Sequence, residues 1–107
     1  MSNEQLKGHL DLLLLQMVAT GPAHGYAVIA SLRARSGGVF DLPEGTVYPA
    51  LHRLEGAGLL TSQWAAADGR RRRVYRLSET GWAALRAERS RWKLFAWGMR
   101  TVLGTPA

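Results

Sequence analysis

The hydrophobic period of this sequence changes twice, and that restricts what it can fold into. Up to Gly58 three segments carry apolar residues at three- and four-residue steps. From Leu59 to Leu77 they do not. Leu59-Leu60-Thr61-Ser62-Gln63-Trp64 and Arg73-Val74-Tyr75-Arg76-Leu77 are two short extended runs around the turn signal Asp68-Gly69. That pattern specifies a β-hairpin. After Ser78 the helical spacing returns, so the order is helix, helix, helix, hairpin, helix.

The first helix is expected over roughly residues 3–19. Leu6, Leu10, Leu13, Leu14 and Met17 share one face, while Leu12, Leu15 and Val18 make the other apolar too. A helix greasy nearly all round is covered on several sides, by the core or by a second subunit. Leu10, Leu13, Leu14 and Met17 are assigned to a subunit interface. Thr20-Gly21-Pro22 ends the element. A second helix is expected from His24 to Arg35, with Tyr26, Val28, Ile29 and Leu32 inward and Gly37-Gly38 as its stop. Phe40 and Leu42 then serve as apolar plugs.

The third helix starts between Pro43 and Thr46 and runs to Ala57, its stripe made by Val47, Ala50, Leu51 and Leu54. Thr46 as N-cap would put Pro49 in the first turn, where proline is tolerated; an earlier start demands a local distortion. Gly58 supplies the left-handed stop. Ser78 caps the last helix, with Glu79 in its first turn. Trp82, Leu85, Trp92, Ala96, Met99 and Leu103 form a seam, interrupted by the charge of Arg89. A core helix folding back and a second copy of the chain both fit such a seam. Trp92 and Trp97 point about 140° apart at helical pitch, too wide for one intramolecular contact, which favours dimerisation.

Three helices followed by a hairpin is the winged variant of the helix-turn-helix. The expected fold is mostly α with a small β-hairpin. A winged helix-turn-helix over residues 1–78 joins a C-terminal dimerisation helix over 79–107 in one compact unit. The charge agrees with a polyanionic partner: 14 Lys and Arg against 8 Asp and Glu give a formal net charge of +6. Only Lys7 and Lys93 are lysines, and guanidinium forks suit phosphate and guanine edges better than ammonium does. Net charge alone does not separate this from a merely basic protein.

Other classes find little support. Cysteine is absent, which removes disulfides and thiolate metal sites and fits a cytoplasmic setting. The apolar run around Leu12 to Leu15 is too short for a membrane span, and His9, Asp11 and Gln16 break it as a signal sequence. His9, His24 and His52 lie far apart, without metal-type spacing to a carboxylate. Asp41 and Glu44 flank Pro43 with no base or nucleophile beside them. No enzyme, cofactor or metal is expected.

Several separated stretches occur in a fixed order. They are His24-Gly25-Tyr26, the run Gly45-Thr46-Val47-Tyr48-Pro49-Ala50-Leu51-His52-Arg53-Leu54-Glu55, then Gly58-Leu59-Leu60. Val74-Tyr75-Arg76-Leu77-Ser78 after the arginine run, and Glu79-Thr80-Gly81, complete the set. Together they resemble the PadR family of bacterial transcriptional regulators, in its short form with a single C-terminal helix. The resemblance implies a homodimeric regulator, usually a repressor, on a palindromic operator, with release by a small aromatic effector.

On this reading the third helix enters the major groove, with Thr46, Tyr48, His52 and Arg53 toward the DNA and Arg53 forking onto guanine. Tyr26 is a further candidate contact. Arg70, Arg71, Arg72 and Arg73 would form the wing, set against phosphate or a narrow minor groove. A charge run is also the ordinary dress of a solvated surface. The dimer interface would add Leu85, Trp92, Ala96, Met99 and Leu103 to the first-helix residues. Trp92 sits where some drug-responsive relatives hold a planar ligand between two indoles; packing glue is the competing role. A winged module for protein or RNA is the rival from another class, distinguished by salt dependence and sequence preference.

Overall fold

The computed structural model describes residues 6, 8–67 and 69–104. The expected start of the first helix at residues 3–5, Lys7, Asp68 of the turn and residues 105–107 lie outside them. Among the described residues there are four longer helices and a small antiparallel sheet. Helix α1 spans Leu10–Ala19, strand β1 Ala23–His24, helix α2 Gly25–Arg35 and helix α3 Glu44–Gly56. The hairpin is β2, Leu60–Ala67, and β3, Arg70–Leu77; helix α4 spans Glu79–Leu103. The winged helix-turn-helix order read from the sequence is the order observed.

Strand β1 is new. Ala23 pairs with Tyr75 and His24 with Val74, so β3 is the central strand of the order β1-β3-β2. Two residues carry too little pattern to announce a strand. The pairing ties the start of α2 to the base of the wing. The hairpin strands are also longer than expected: Trp64 faces Arg73, Ala65 faces Arg72, Ala66 faces Arg71 and Ala67 faces Arg70. The arginine run therefore lies within β3, and Gly69 turns the chain at φ 74°.

Residues from every helix, from Leu42 in the α2–α3 connection and from the sheet form the core. Leu14, Leu15, Met17 and Val18 of α1 meet Val28 and Leu32 of α2, and Val47, Ala50, Leu51 and Leu54 of α3. Leu42, Leu60, Tyr75 and Leu85 close it. Each such aliphatic side chain contributes roughly 1.5–3 kcal/mol relative to exposure. Two expectations fail here. Leu14, Met17 and Leu85, assigned to a subunit interface, are buried within the single chain and offer a partner no surface. Tyr26, expected inward, is 58% exposed. The inward face of α2 is Val28 and Leu32, with Ile29 half-buried.

Helix α3 takes the earlier of its two expected starts. Pro43 is the N-cap, and its carbonyl accepts from Thr46 N–H (3.0 Å) and Val47 N–H (3.1 Å). Thr46 is therefore inside the first turn and caps nothing. Pro49 falls in the second turn, where its missing N–H leaves the carbonyl of Gly45 without a helical donor.

The junction between α3 and α4 accounts for the Glu79-Thr80-Gly81 stretch. Gly58, at φ 80°, ends α3, and its carbonyl accepts from the hydroxyls of Ser78 (2.6 Å) and Thr80 (2.7 Å). Ser78 Oγ also accepts from Gly81 N–H at 3.0 Å, the N-cap bond of α4. Gly81 lies so close to the backbone of Leu59 that a Cβ there would overlap the Leu59 carbonyl oxygen. Helix α4 is thereby anchored where α3 ends.

Candidate nucleic-acid interface

Helix α3 and the wing face each other across an open cleft of about 530 Å³. From α3 come Tyr48 and His52, which share a face because they are four residues apart. From the hairpin come Trp64, Arg71, Arg72 and Arg73. His24, Gly25 and the buried Tyr75 form its floor. The geometry of each side chain has a local cause.

Tyr48 is held by Gly25. A Cβ on Gly25 would stand 2.5 Å from Tyr48 Cε1 and 2.8 Å from Cζ, so the ring lies on the bare backbone at the start of α2. Gly25 follows His24, whose Nδ1 accepts from Ala27 N–H at 3.2 Å and caps the helix. The His24-Gly25-Tyr26 stretch thus positions a neighbour's side chain as well as opening a helix. Tyr26 stacks on His24 with ring centroids 6.4 Å apart, beside the cleft.

Arg73 is the most constrained arginine of the wing. Its Nε donates to Ser62 Oγ at 2.7 Å, and its Nη2 lies 3.8 Å from Glu55 Oε2. Ser62 Oγ in turn donates to Glu55 Oε2 at 2.5 Å. Burial, with the Glu55 carboxylate nearby, pushes the Tyr75 phenol above its ordinary pKa, so it is a neutral floor to the cleft at neutral pH. Arg70 and Arg71 are exposed. Arg72 is half-buried, its Nε shielded from solvent and without an acceptor among the described residues.

Of the residues expected at DNA, the cleft brings together Tyr48, His52, Arg71, Arg72 and Arg73. Thr46 is half-buried and Arg70 is exposed; neither lines it. Arg53 is a correction. It forks onto Asp11 of α1, Nη2–Oδ1 2.5 Å and Nη1–Oδ2 3.1 Å, on another side of α3. The bidentate hydrogen bonds, the larger effect, and the Asp11 charge raise the Arg53 pKa against partial burial. In this arrangement the guanidinium is engaged by a carboxylate and is turned away from the cleft. Trp64, His24 and Gly25 join them; the sequence signals were the His24-Gly25-Tyr26 stretch and an unexplained large aromatic before Ala65, Ala66 and Ala67.

A second cleft, of about 650 Å³, opens between α1 and α4. Trp92 meets His9 edge-on with ring centroids 5.5 Å apart and Phe95 at 5.7 Å. Leu12 and Leu94 add apolar surface to it. Much of the apolar surface of α4 is bare: Leu94 and Phe95 at the cleft, and Trp97, Val102 and Leu103 beyond it, are all more than half exposed. Among the described residues no helix is long and apolar enough to cross a membrane.

Comparison with known proteins places this geometry. A family model described as the transcriptional regulator PadR-like family matches residues 14–87. The transcriptional regulator Rv3488 of Mycobacterium tuberculosis is 42% identical over 93 residues, spanning 87% of this chain and 81% of that protein. A crystal structure of a PadR family transcriptional regulator from Eggerthella lenta is similar at TM-score 0.79 and 33% identity, covering 96% of this chain and 88% of the other. A transcriptional regulator from Clostridium thermocellum shares the fold at TM-score 0.84 and 24% identity, with 94% and 96% of the two chains covered. The class is a winged-helix regulator of transcription, a DNA-binding protein and not an enzyme. The chain belongs to the PadR-like family.

Proposed function

We propose that this chain is a cytoplasmic homodimeric repressor that reads a palindromic operator and releases it on binding a flat aromatic compound. The observation that carries the DNA reading is the cleft itself. It sets Tyr48 and His52 of α3 opposite three consecutive wing arginines. Helix α3 would enter the major groove with Tyr48 and His52 foremost, while Arg71 and Arg72 meet the flanking phosphates or minor groove. Thr46, Tyr26 and Arg70 stand close enough in the chain to add contacts at the edge.

Two-fold symmetry is supported by α4. Leu85, Trp92, Ala96, Met99 and Leu103 run along one stripe, but only Leu85 is covered by its own domain. Trp92 and Met99 are 46% and 45% exposed and Leu103 73%. A second copy would cover the rest of the stripe, with Leu10 and Leu13 of α1, both half-buried, beside it. Residues 1–78 would then serve as the reading head and 79–107 as the dimerisation arm. The effector would sit in the cleft of His9, Trp92 and Phe95.

Selection of bound fragments from a random duplex pool tests the reading. Recovery of a two-fold symmetric consensus, with half-sites about one helical turn apart, is the expected result. Equal recovery of all sequences, or preference for RNA, would overturn it.

A further inference from the structure

Trp64 projects from the wing with 56% of its surface exposed. An indole left more than half exposed on a strand, outside the buried cluster, does not serve the core. The register puts it on the sheet face of its partner Arg73, and of Arg71 two residues earlier on β3. The guanidinium carbons of Arg71 and Arg73 lie 5.1 and 5.3 Å from the indole centroid. Both are within the distance at which a ring quadrupole attracts a cation.

The two arginines are not held alike. Arg73 is also tied to Ser62 and Glu55. Arg71 has no carboxylate partner among the described residues, and directly across the ladder it faces Ala66. A methyl group cannot orient a guanidinium. The indole is therefore what keeps Arg71 folded toward the cleft, beside the like charge of Arg73.

We propose that Trp64 is a positioning residue of the DNA-binding face, which orders the Arg71 guanidinium, and with Glu55 and Ser62 that of Arg73, before DNA arrives. The proposal rests on the reading of the wing as a DNA contact. Ordering a long side chain in the free protein removes part of the entropy lost when it is immobilised at an interface. Trp64 thus strengthens binding without itself neutralising a phosphate.

Two measurements test this. In the free protein, NMR should find the δ-methylene and Nε–H resonances of Arg71 and Arg73 displaced by the indole ring current. The displacement should vanish in Trp64→Ala and persist in reduced form in Trp64→Phe. On a mixed-sequence DNA duplex, Trp64→Ala should bind about three- to tenfold more weakly. Its salt slope should equal that of the wild type, because the same phosphates are still met, and Trp64→Phe should recover most of the loss. Ordinary arginine resonances in the wild type, unchanged affinity in Trp64→Ala, or a salt slope reduced by about one unit would each overturn the proposal. Displaced resonances in a protein whose Arg71→Ala variant binds DNA normally would instead show that the wing is not a DNA contact.

Discussion

The Arg53 guanidinium on α3 is forked onto the Asp11 carboxylate of α1, forty-two residues away in the chain. It thereby links the helix that carries Tyr48 and His52 to the helix that borders the aromatic cleft. Both partners are partly solvated, with 57% and 41% of their side chains exposed, so the pair contributes on the order of 1 kcal/mol at most. Arg53→Ala should lower the unfolding free energy by about that amount. It should leave the ratio of operator to random-duplex affinity within about a factor of three, since bidentate base contacts are worth more. Competition binding checks this, and a selective loss of operator affinity would return Arg53 to the bases.

Among the described residues, Arg73 is the wing arginine tied to a carboxylate. Replacing Arg71 and Arg72 together by alanine should weaken binding to every duplex and lower the salt slope by roughly one unit per lost phosphate contact. His52→Ala should instead cost more on the operator than on random DNA. Titrations between low and moderate salt separate the two effects. A double variant with wild-type slope would reduce the arginine run to a solvated surface.

Two glycines should behave differently. Gly81→Ala drives a methyl into the backbone carbonyl of Leu59, which cannot yield without shifting the start of α4. It should cost about 1–3 kcal/mol or more, read as a lowered denaturation midpoint. Gly25→Ala first meets the ring of Tyr48, a side chain that can swing aside. Stability should fall less, while operator affinity falls more than random-duplex affinity because Tyr48 leaves its place. Equal stability losses in the two variants would contradict this distinction.

Much of the fold was legible because the period of each segment and its stop signals agreed. Val47, Ala50, Leu51 and Leu54 are buried as their spacing required. What the chain concealed has physical causes. An all-apolar helix does not say which neighbour covers which side, so Leu14 and Met17 were given to a partner when their own core takes them. Arg53 lies five residues beyond Tyr48, about 140° round the helix, whereas His52 lies about 40° round; the spacing alone separated them. Its Asp11 partner did not follow from spacing, because pairing across forty-two residues depends on how α1 crosses α3. The role of Trp64 required the hairpin register, which a turn signal without strand ends leaves open.

The exposed half of α4 sets a test of assembly that spares the fold. Met99→Glu and Leu103→Glu place charge on a stripe that the single chain leaves bare. Each should give a folded monomer by sedimentation and circular dichroism, with operator binding weakened because two half-sites are no longer read together. Leu85→Glu, at 3% exposure on the same stripe, should fail to fold. A wild-type protein that sediments as a monomer at micromolar concentration would remove the dimer.

The aromatic cleft makes the remaining prediction. Trp92, Phe95 and His9 already stand edge or tilted to one another at 5.5–6.1 Å between centroids. A planar ligand entering there gains about 0.5–1.5 kcal/mol per offset aromatic contact beyond the area it buries. Regulation needs more than binding, because a ligand taken equally by both conformations shifts nothing. Gly8, His9 and Leu12 line this cleft, and Asp11 between them holds Arg53 of α3. A ligand that displaces the start of α1 therefore moves a helix tied to α3. Flat aromatic compounds should quench tryptophan fluorescence and lower operator affinity in the wild type. Trp92→Ala should still dimerise and bind operator but lose both responses. Asp11→Asn, which weakens the link and leaves the cleft intact, should keep the quenching and lose part of the drop in affinity. A Trp92→Ala protein that falls apart, together with no quenching by any planar compound, would show that Trp92 only packs the seam.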